Sequence, residues 1–105
     1  MVIYKYPIYE SNKPIKANFV KLLDIQYQNG IPVLWALVDE AAAEQEIEFN
    51  VLGTGWEFEG SPGVYVKTCQ DDFGFVWHFF IVDSNAAISA LALTFGNAPK
   101  AAIMA

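Results

Sequence analysis

Leu22-Leu23-Asp24-Ile25-Gln26-Tyr27-Gln28-Asn29-Gly30-Ile31-Pro32-Val33-Leu34-Trp35-Ala36-Leu37-Val38-Asp39 is the stretch whose reading decides the fold. Two apolar-rich runs flank Asn29-Gly30, and this dipeptide tolerates the positive φ that both central residues of a two-residue type I′ turn require, so the segment predicts a β-hairpin. With that turn, Gln28 closes against Ile31, and the register places Tyr27 opposite Pro32, Ile25 opposite Leu34 and Asp24 opposite Trp35. Tyr27 and Pro32 then form a non-hydrogen-bonded pair, so the missing N–H of Pro32 costs nothing on that side. One face carries Leu23, Ile25, Tyr27, Pro32, Leu34 and Ala36 and is expected to be core. The other carries Asp24, Gln26, Val33, Trp35 and Leu37, a mixture that suits neither core nor solvent and makes this face the first candidate binding surface.

Outward from the hairpin, Val2 to Tyr9 alternates like a strand, and Pro7 confines it to an edge, a strand end or a bulge. Ile15 to Phe19 adds a short extended piece. After a polar connection over Asp39 to Gln45, Glu46 to Val51 alternates strictly, with Ile47, Phe49 and Val51 inward. Val64 to Gln70 reads as another strand, and Asp71-Asp72-Phe73-Gly74 as a turn. Phe75 to Val82 is apolar on both faces and is expected to be central in its sheet. Ala86 to Phe95 sets Ile88, Leu91 and Phe95 at helical spacing, with a cap at Asp83 or Ser84 and a stop at Gly96. The expected fold is mainly β (a β-rich α+β chain): about five to seven antiparallel strands in a sandwich or partly open barrel, with one short C-terminal helix. A β-rich domain would span residues 1–83, and a helical tail over 84–105 would pack on it or on a second copy.

Composition narrows the chemistry. The 105 residues are 54% apolar, enough for one core. Twelve Asp and Glu face six Lys and no Arg, a net charge of -6, so the forked donor that reads phosphate and guanine is missing and nucleic acid is not an expected ligand. One cysteine and one histidine exclude an internal disulfide and a Cys/His metal cage, and neither metal nor cofactor is expected. No apolar run approaches the ~20 residues of a membrane span, so a soluble, unsecreted, cytoplasmic protein is expected.

Few residues invite catalysis. Gly53-Thr54-Gly55 matches no full phosphate-loop pattern and reads as a turn. Cys69 and His78 would share a strand face only if the turn between their strands has four residues, and a loop of three or five would put them on opposite faces. Nothing else supplies an orienting group or an oxyanion hole. Glu46 with Glu48 and Glu57 with Glu59 occupy i and i+2 positions that are ordinarily the wet side of a strand. Trp35 and Trp77 read as core by default, whereas Trp56, between glycine and glutamate, is expected to be partly exposed, where tryptophan serves as an anchor for a partner.

Ile3-Tyr4-Lys5-Tyr6-Pro7, Gln26-Tyr27-Gln28-Asn29-Gly30-Ile31-Pro32-Val33-Leu34-Trp35-Ala36-Leu37-Val38-Asp39, Phe49 to Gly55 and Gly74-Phe75-Val76-Trp77-His78 together resemble a family of small uncharacterised bacteriophage and prophage proteins. The resemblance covers roughly the first 83 residues and carries no established activity. It implies a phage-type protein in bacterial cytoplasm. The family pattern has His after the Gly-Thr-Gly, where this chain has Trp56.

The leading expectation is a non-enzymatic phage accessory protein that binds a host or phage protein, with a homodimer as one arrangement. Its candidate binding residues are Asp24, Gln26, Trp35, Trp56, Glu57, Glu59 and His78, and no catalytic residue is assigned. The alternative is a small-molecule binder with a pocket at Trp35, Tyr27 or His78, followed by a Cys69/His78 enzyme.

Overall fold

Asn29 and Gly30 both adopt positive φ, 53° and 79°, which is the type I′ turn their sequence predicts. The structure, a computed structural model, describes residues 1–9 and 11–95. In chain order its elements are β1 (Val2–Pro7), β2 (Ile15–Ala17), β3 (Phe19–Gln28), β4 (Ile31–Val38), β5 (Gln45–Ile47), β6 (Phe49–Gly53), β7 (Val64–Gln70), β8 (Val76–Ile81) and α1 (Ala86–Ala92). They form three antiparallel sheets, ordered β1-β4-β3, β2-β5 and β6-β8-β7, and none of them closes into a barrel. The mainly β fold with one short C-terminal helix is therefore observed. Among the described residues the strands number eight because the two three-residue strands β2 and β5 pair with each other as a separate ribbon.

The hairpin register runs as the turn dictates from Gln28 opposite Ile31 back to Asp24 opposite Trp35. A bulge between Leu22 and Asp24 then sets Leu22 opposite Ala36. An inserted residue shifts the alternation by one, so Leu22 is fully buried and Leu23, expected in the core, is only half-buried. Val33 is also buried, although it lies on the mixed face.

Antiparallel pairing gives β4 a different partner at each successive residue. Its odd-numbered residues bond toward β3, and the Ile8 N–H to Pro32 carbonyl bond, 2.8 Å, shows the even-numbered ones bonding toward β1. Pro32 faces β1 with its carbonyl, and the N–H it lacks would point the same way, just past the end of the β1–β4 ladder at Pro7 opposite Val33, where a proline is tolerated.

Phe49, Phe79, Leu22, Ile25, Leu34, Ile47 and Ile81 are the largest fully buried side chains. Each contributes roughly 1.5–3 kcal/mol by leaving water. Ile47 and Phe49 belong to different strands with only Glu48 between them, so the chain changes sheets there while keeping its alternation; the Val82 N–H to Glu48 carbonyl bond, 3.0 Å, holds the crossing. β8 lies in the middle of its sheet, as its two apolar faces require.

α1 begins one or two residues later than Ser84 or Asp83 would start it, because Asn85 is the cap: its side-chain oxygen accepts from the Ile88 N–H at 3.0 Å. Ile88, Leu91 and Ala92 are buried, the helix packs on β3, β5 and β7 of its own chain, and the Leu22 N–H donates to Thr94 Oγ1 at 3.3 Å. The stop expected at Gly96 and the end of the tail lie outside the described residues.

Candidate functional site

The outer face and one end of the β6-β8-β7 sheet carry a set of exposed aromatic and polar side chains. His78 stands on that face in register with Leu52 of β6 and Thr68 of β7. Its Nε2 shares a 2.7 Å hydrogen bond with Thr54 Oγ1, and its Nδ1 a 3.0 Å bond with Thr68 Oγ1, whose other neighbour is the Tyr65 hydroxyl at 2.7 Å. A hydroxyl can donate or accept, so both ring nitrogens are bonded. The Thr54 N–H also donates to the Val76 carbonyl at 3.3 Å. Thr54 is thereby fixed on β8, and with it the start of the loop that leads to β7.

Two residues further on, Trp56 is 56% exposed yet packs against two residues, Trp77 and Gly53. Its ring meets Trp77 edge-on, with centroids 5.3 Å apart and planes at 86°. The indole also lies over Gly53, the cross-strand partner of Trp77, where an added Cβ would come within 2.8 Å of it. Only glycine leaves room for the ring in this place, which gives the first glycine of Gly53-Thr54-Gly55 a packing role.

The loop from β7 to β8 meets the same tryptophan pair. Asp71 organises it: Oδ1 accepts the Phe73 and Phe75 N–H groups at 2.9 and 3.0 Å, and Oδ2 accepts the Trp77 Nε1–H at 2.9 Å. The Trp77 bond, with the backbone donors behind it, holds the Asp71 carboxyl below its ordinary range. Phe73 and Phe75 project from this loop, 85% and 65% exposed. Asp72 is exposed in the same loop, and Glu57 and Glu59 are exposed on the connection that follows Trp56.

Gln70 pairs with Val76, leaving residues 71–75 as a five-residue loop where four were expected. That one residue puts Cys69 on the inner face, opposite Trp77, and His78 on the outer one. The Cys69 thiol is buried and donates to the Ile25 carbonyl at 3.1 Å. Burial pushes it up and outweighs the opposing pull of the Lys67 ammonium, with the Asp24 carboxylate adding a smaller push upward. A thiol and imidazole on opposite faces form no nucleophile–base pair.

Asp24, Gln26 and Trp35 stand on a different sheet. Asp24 pairs with Lys67 Nζ at 2.8 Å, caps the Ile25 N–H at 2.9 Å and accepts from the Gln26 amide at 3.0 Å. Burial alone would raise its carboxyl, but the Lys67 ammonium and the two further donors outweigh it and hold it low. Asp24 is thus a tie between β3 and β7, with Gln26 leaning on it. Trp35 is half-buried between its register partners Lys5 and Asp24. Of the residues singled out from sequence, His78 bonds Thr54 on the outer face, two residues before Trp56, which packs on Trp77; Glu57 and Glu59 follow on the same loop.

Thr54, Thr68, Tyr65, Asp71, Phe73 and Phe75 complete this end, and sequence reasoning passed over them. An aspartate opening a turn before Phe-Gly is a recognised signal for side-chain to backbone bonding two residues on, and it could have found Asp71.

Near the hairpin turn, Tyr9, Tyr27, Pro32, Asp71 and Trp77 line an open recess of about 270 Å³. Burial, with the Asp71 carboxylate adding to it, pushes the Tyr27 phenol up to about 12, so it stays neutral there. Among the described residues no group of three or more His, Cys, Asp or Glu side chains is placed to hold a metal ion, and no helix is long and apolar enough to cross a membrane.

A family model described as a domain of unknown function, DUF7352, matches residues 1–89. The chain belongs to that family. No curated protein and no solved structure matches it. The DUF7352 match extends through every strand and into α1, so the tryptophan pair, the Thr54–His78 link and the Asp71 loop all lie within it.

Proposed function

We infer that the chain is a non-enzymatic protein-binding module whose docking surface is the aromatic, acidic end of the β6-β8-β7 sheet. The observation that carries this is Trp56: an indole more than half exposed but packed against Trp77 and over Gly53. A side chain already immobilised in the free protein does not lose roughly 0.5–1.5 kcal/mol of rotamer freedom when a partner covers it. Exposed tryptophan, with Phe73 and Phe75 on the loop that Asp71 ties to Trp77, supplies apolar surface, and the exposed Glu57, Glu59 and Asp72 supply negative charge that favours a basic partner. The resemblance to phage and prophage proteins supports an accessory role in bacterial cytoplasm, acting on a host or phage protein.

Selection from a displayed random-peptide library tests this. The expected result is enrichment of peptides that join an apolar or aromatic residue to Lys or Arg and that fail to bind Trp56→Ala. Peptides that bind Trp56→Ala as well as the parent protein would remove this surface from the function.

A second reading, a small-molecule binder, is favoured by the recess at Tyr27 and Trp77. A ligand from a metabolite panel that raises the melting temperature of the parent, and not of Tyr27→Ala, would support it; a panel with no shift counts against it.

A further inference from the structure

The exposed edges of the two three-stranded sheets are managed very differently. At the outer edge of β3, the Ile25 N–H is capped by Asp24 and its carbonyl by the Cys69 thiol. At the outer edge of β6, the Asn12 N–H donates to the Phe49 carbonyl at 2.7 Å and Ser11 Oγ accepts the Val51 N–H at 3.0 Å. β7 faces β3 through the Asp24–Lys67 pair. The outer edge of β1 has no such covering among the described residues, and it is the other end of the β1-β4-β3 order.

The bonding phase of that edge follows from the Ile8–Pro32 bond. Even-numbered residues of β1 bond to β4, so the N–H and carbonyl groups of Ile3 and Lys5 point outward. Pro7 shares their side, where its missing N–H leaves the pairing with β4 intact. Natural edges are commonly blunted by charge. Here the one charged side chain of the strand, Lys5, is drawn back across the sheet to Gln28 Oε1 at 3.1 Å. What the edge presents is apolar: Ile3 is 58% and Tyr4 55% exposed, with Met1 and Val2 also exposed.

We propose that β1 pairs antiparallel with β1 of a second copy, giving a continuous β3-β4-β1-β1-β4-β3 sheet across a two-fold axis at Tyr4. Only odd-numbered residues can bond across the seam, which leaves few registers. Lys5 opposite Lys5 sets like charges face to face, and it also wastes Ile3 on Pro7, which has no N–H to give. Ile3 opposite Lys5 of the second copy avoids both faults, and each such pair exchanges both of its bonds. Tyr4 then meets its own copy as a non-hydrogen-bonded pair. Val2, Tyr4 and Tyr6 share one face of the strand and line a recess of about 360 Å³ beside it, which receives the second Tyr4 ring. This inference is independent of the Trp56 surface, which lies on the other three-stranded sheet.

Cysteine cross-linking reads the register directly. A non-hydrogen-bonded antiparallel pair has Cα atoms roughly 4.5 Å apart, within disulfide range. Tyr4→Cys is expected to oxidise to a covalent dimer, whereas Ile3→Cys, offset along the strand from its copy, and the parent with its buried Cys69 stay monomeric on denaturing gels. Light scattering of the unmodified chain at submillimolar concentration should give twice the chain mass, and Tyr4→Asp, which sets two carboxylates on the axis, the single mass. A parent of single mass overturns the proposal. So does cross-linking by Ile3→Cys as efficient as by Tyr4→Cys, or a dimer that Tyr4→Asp leaves intact.

Discussion

Asp24 and Asp71 are the two carboxylates whose surroundings are built to keep them charged. Each accepts several hydrogen bonds, Asp24 from Lys67, Ile25 and Gln26 and Asp71 from Trp77 and the loop backbone. A carboxyl held lower in the folded chain than in the unfolded one contributes stability that is complete above the unfolded value, about 4, and is lost as pH falls through the folded value. Urea midpoints are therefore expected to be level from pH 7 to about pH 5 and to fall below about pH 4. Asp24→Asn should make that fall shallower, by about 1 kcal/mol or less, because the pair with Lys67 is a third exposed. An acid limb unchanged by Asp24→Asn would contradict the assignment. At this scale Cys69 teaches the opposite lesson to the one its chemistry suggests: the thiol caps a carbonyl that an edge strand would otherwise leave unpaired.

At the scale of elements, the hairpin was legible because Asn29-Gly30 fixes turn type, and turn type fixes register. The register held from the turn back to Asp24, and it failed at Leu22 and Leu23 because a bulge adds a residue without any signature in the apolar pattern. Loop length failed in the same way. Asp71 bonds the Phe75 N–H as well as the Phe73 N–H, so the turn closes one residue later than Asp-Asp-Phe-Gly implies, and the face of every residue beyond it depends on that difference. The site's own geometry depends on Gly53. Gly53→Ala would drive a methyl group into the Trp56 indole, and with the ring displaced the Trp56–Trp77 contact is broken. The expected outcome is a folded protein with shifted tryptophan fluorescence and weakened binding to the selected peptides; unchanged fluorescence and binding would show that the room at Gly53 does not position the ring.

For the whole molecule, composition and alternation were enough to indicate a mainly β chain with a C-terminal helix, since apolar alternation at period two leaves little else. The division into three sheets was not legible. It turns on Glu48, a single residue at which the chain leaves one ribbon for another sheet without breaking its inward alternation of Ile47 and Phe49. The candidate site was half legible: an exposed Trp56 between glycine and glutamate could be picked out, but its alignment with Trp77, His78 and the Asp71 loop is made by cross-strand pairing between segments distant in sequence. The resulting molecule has a scaffold sheet tied to a second sheet by Asp24–Lys67 and Cys69–Ile25, and that second sheet bears the exposed aromatic end. The most direct measurement is the dissociation constant of one library-selected basic peptide for the parent and for Trp56→Ala, by titration calorimetry. Loss of a central tryptophan anchor costs about 2 kcal/mol or more, so affinity should fall at least about 30-fold while the urea midpoint stays close to that of the parent. Equal affinity for both proteins would contradict the account.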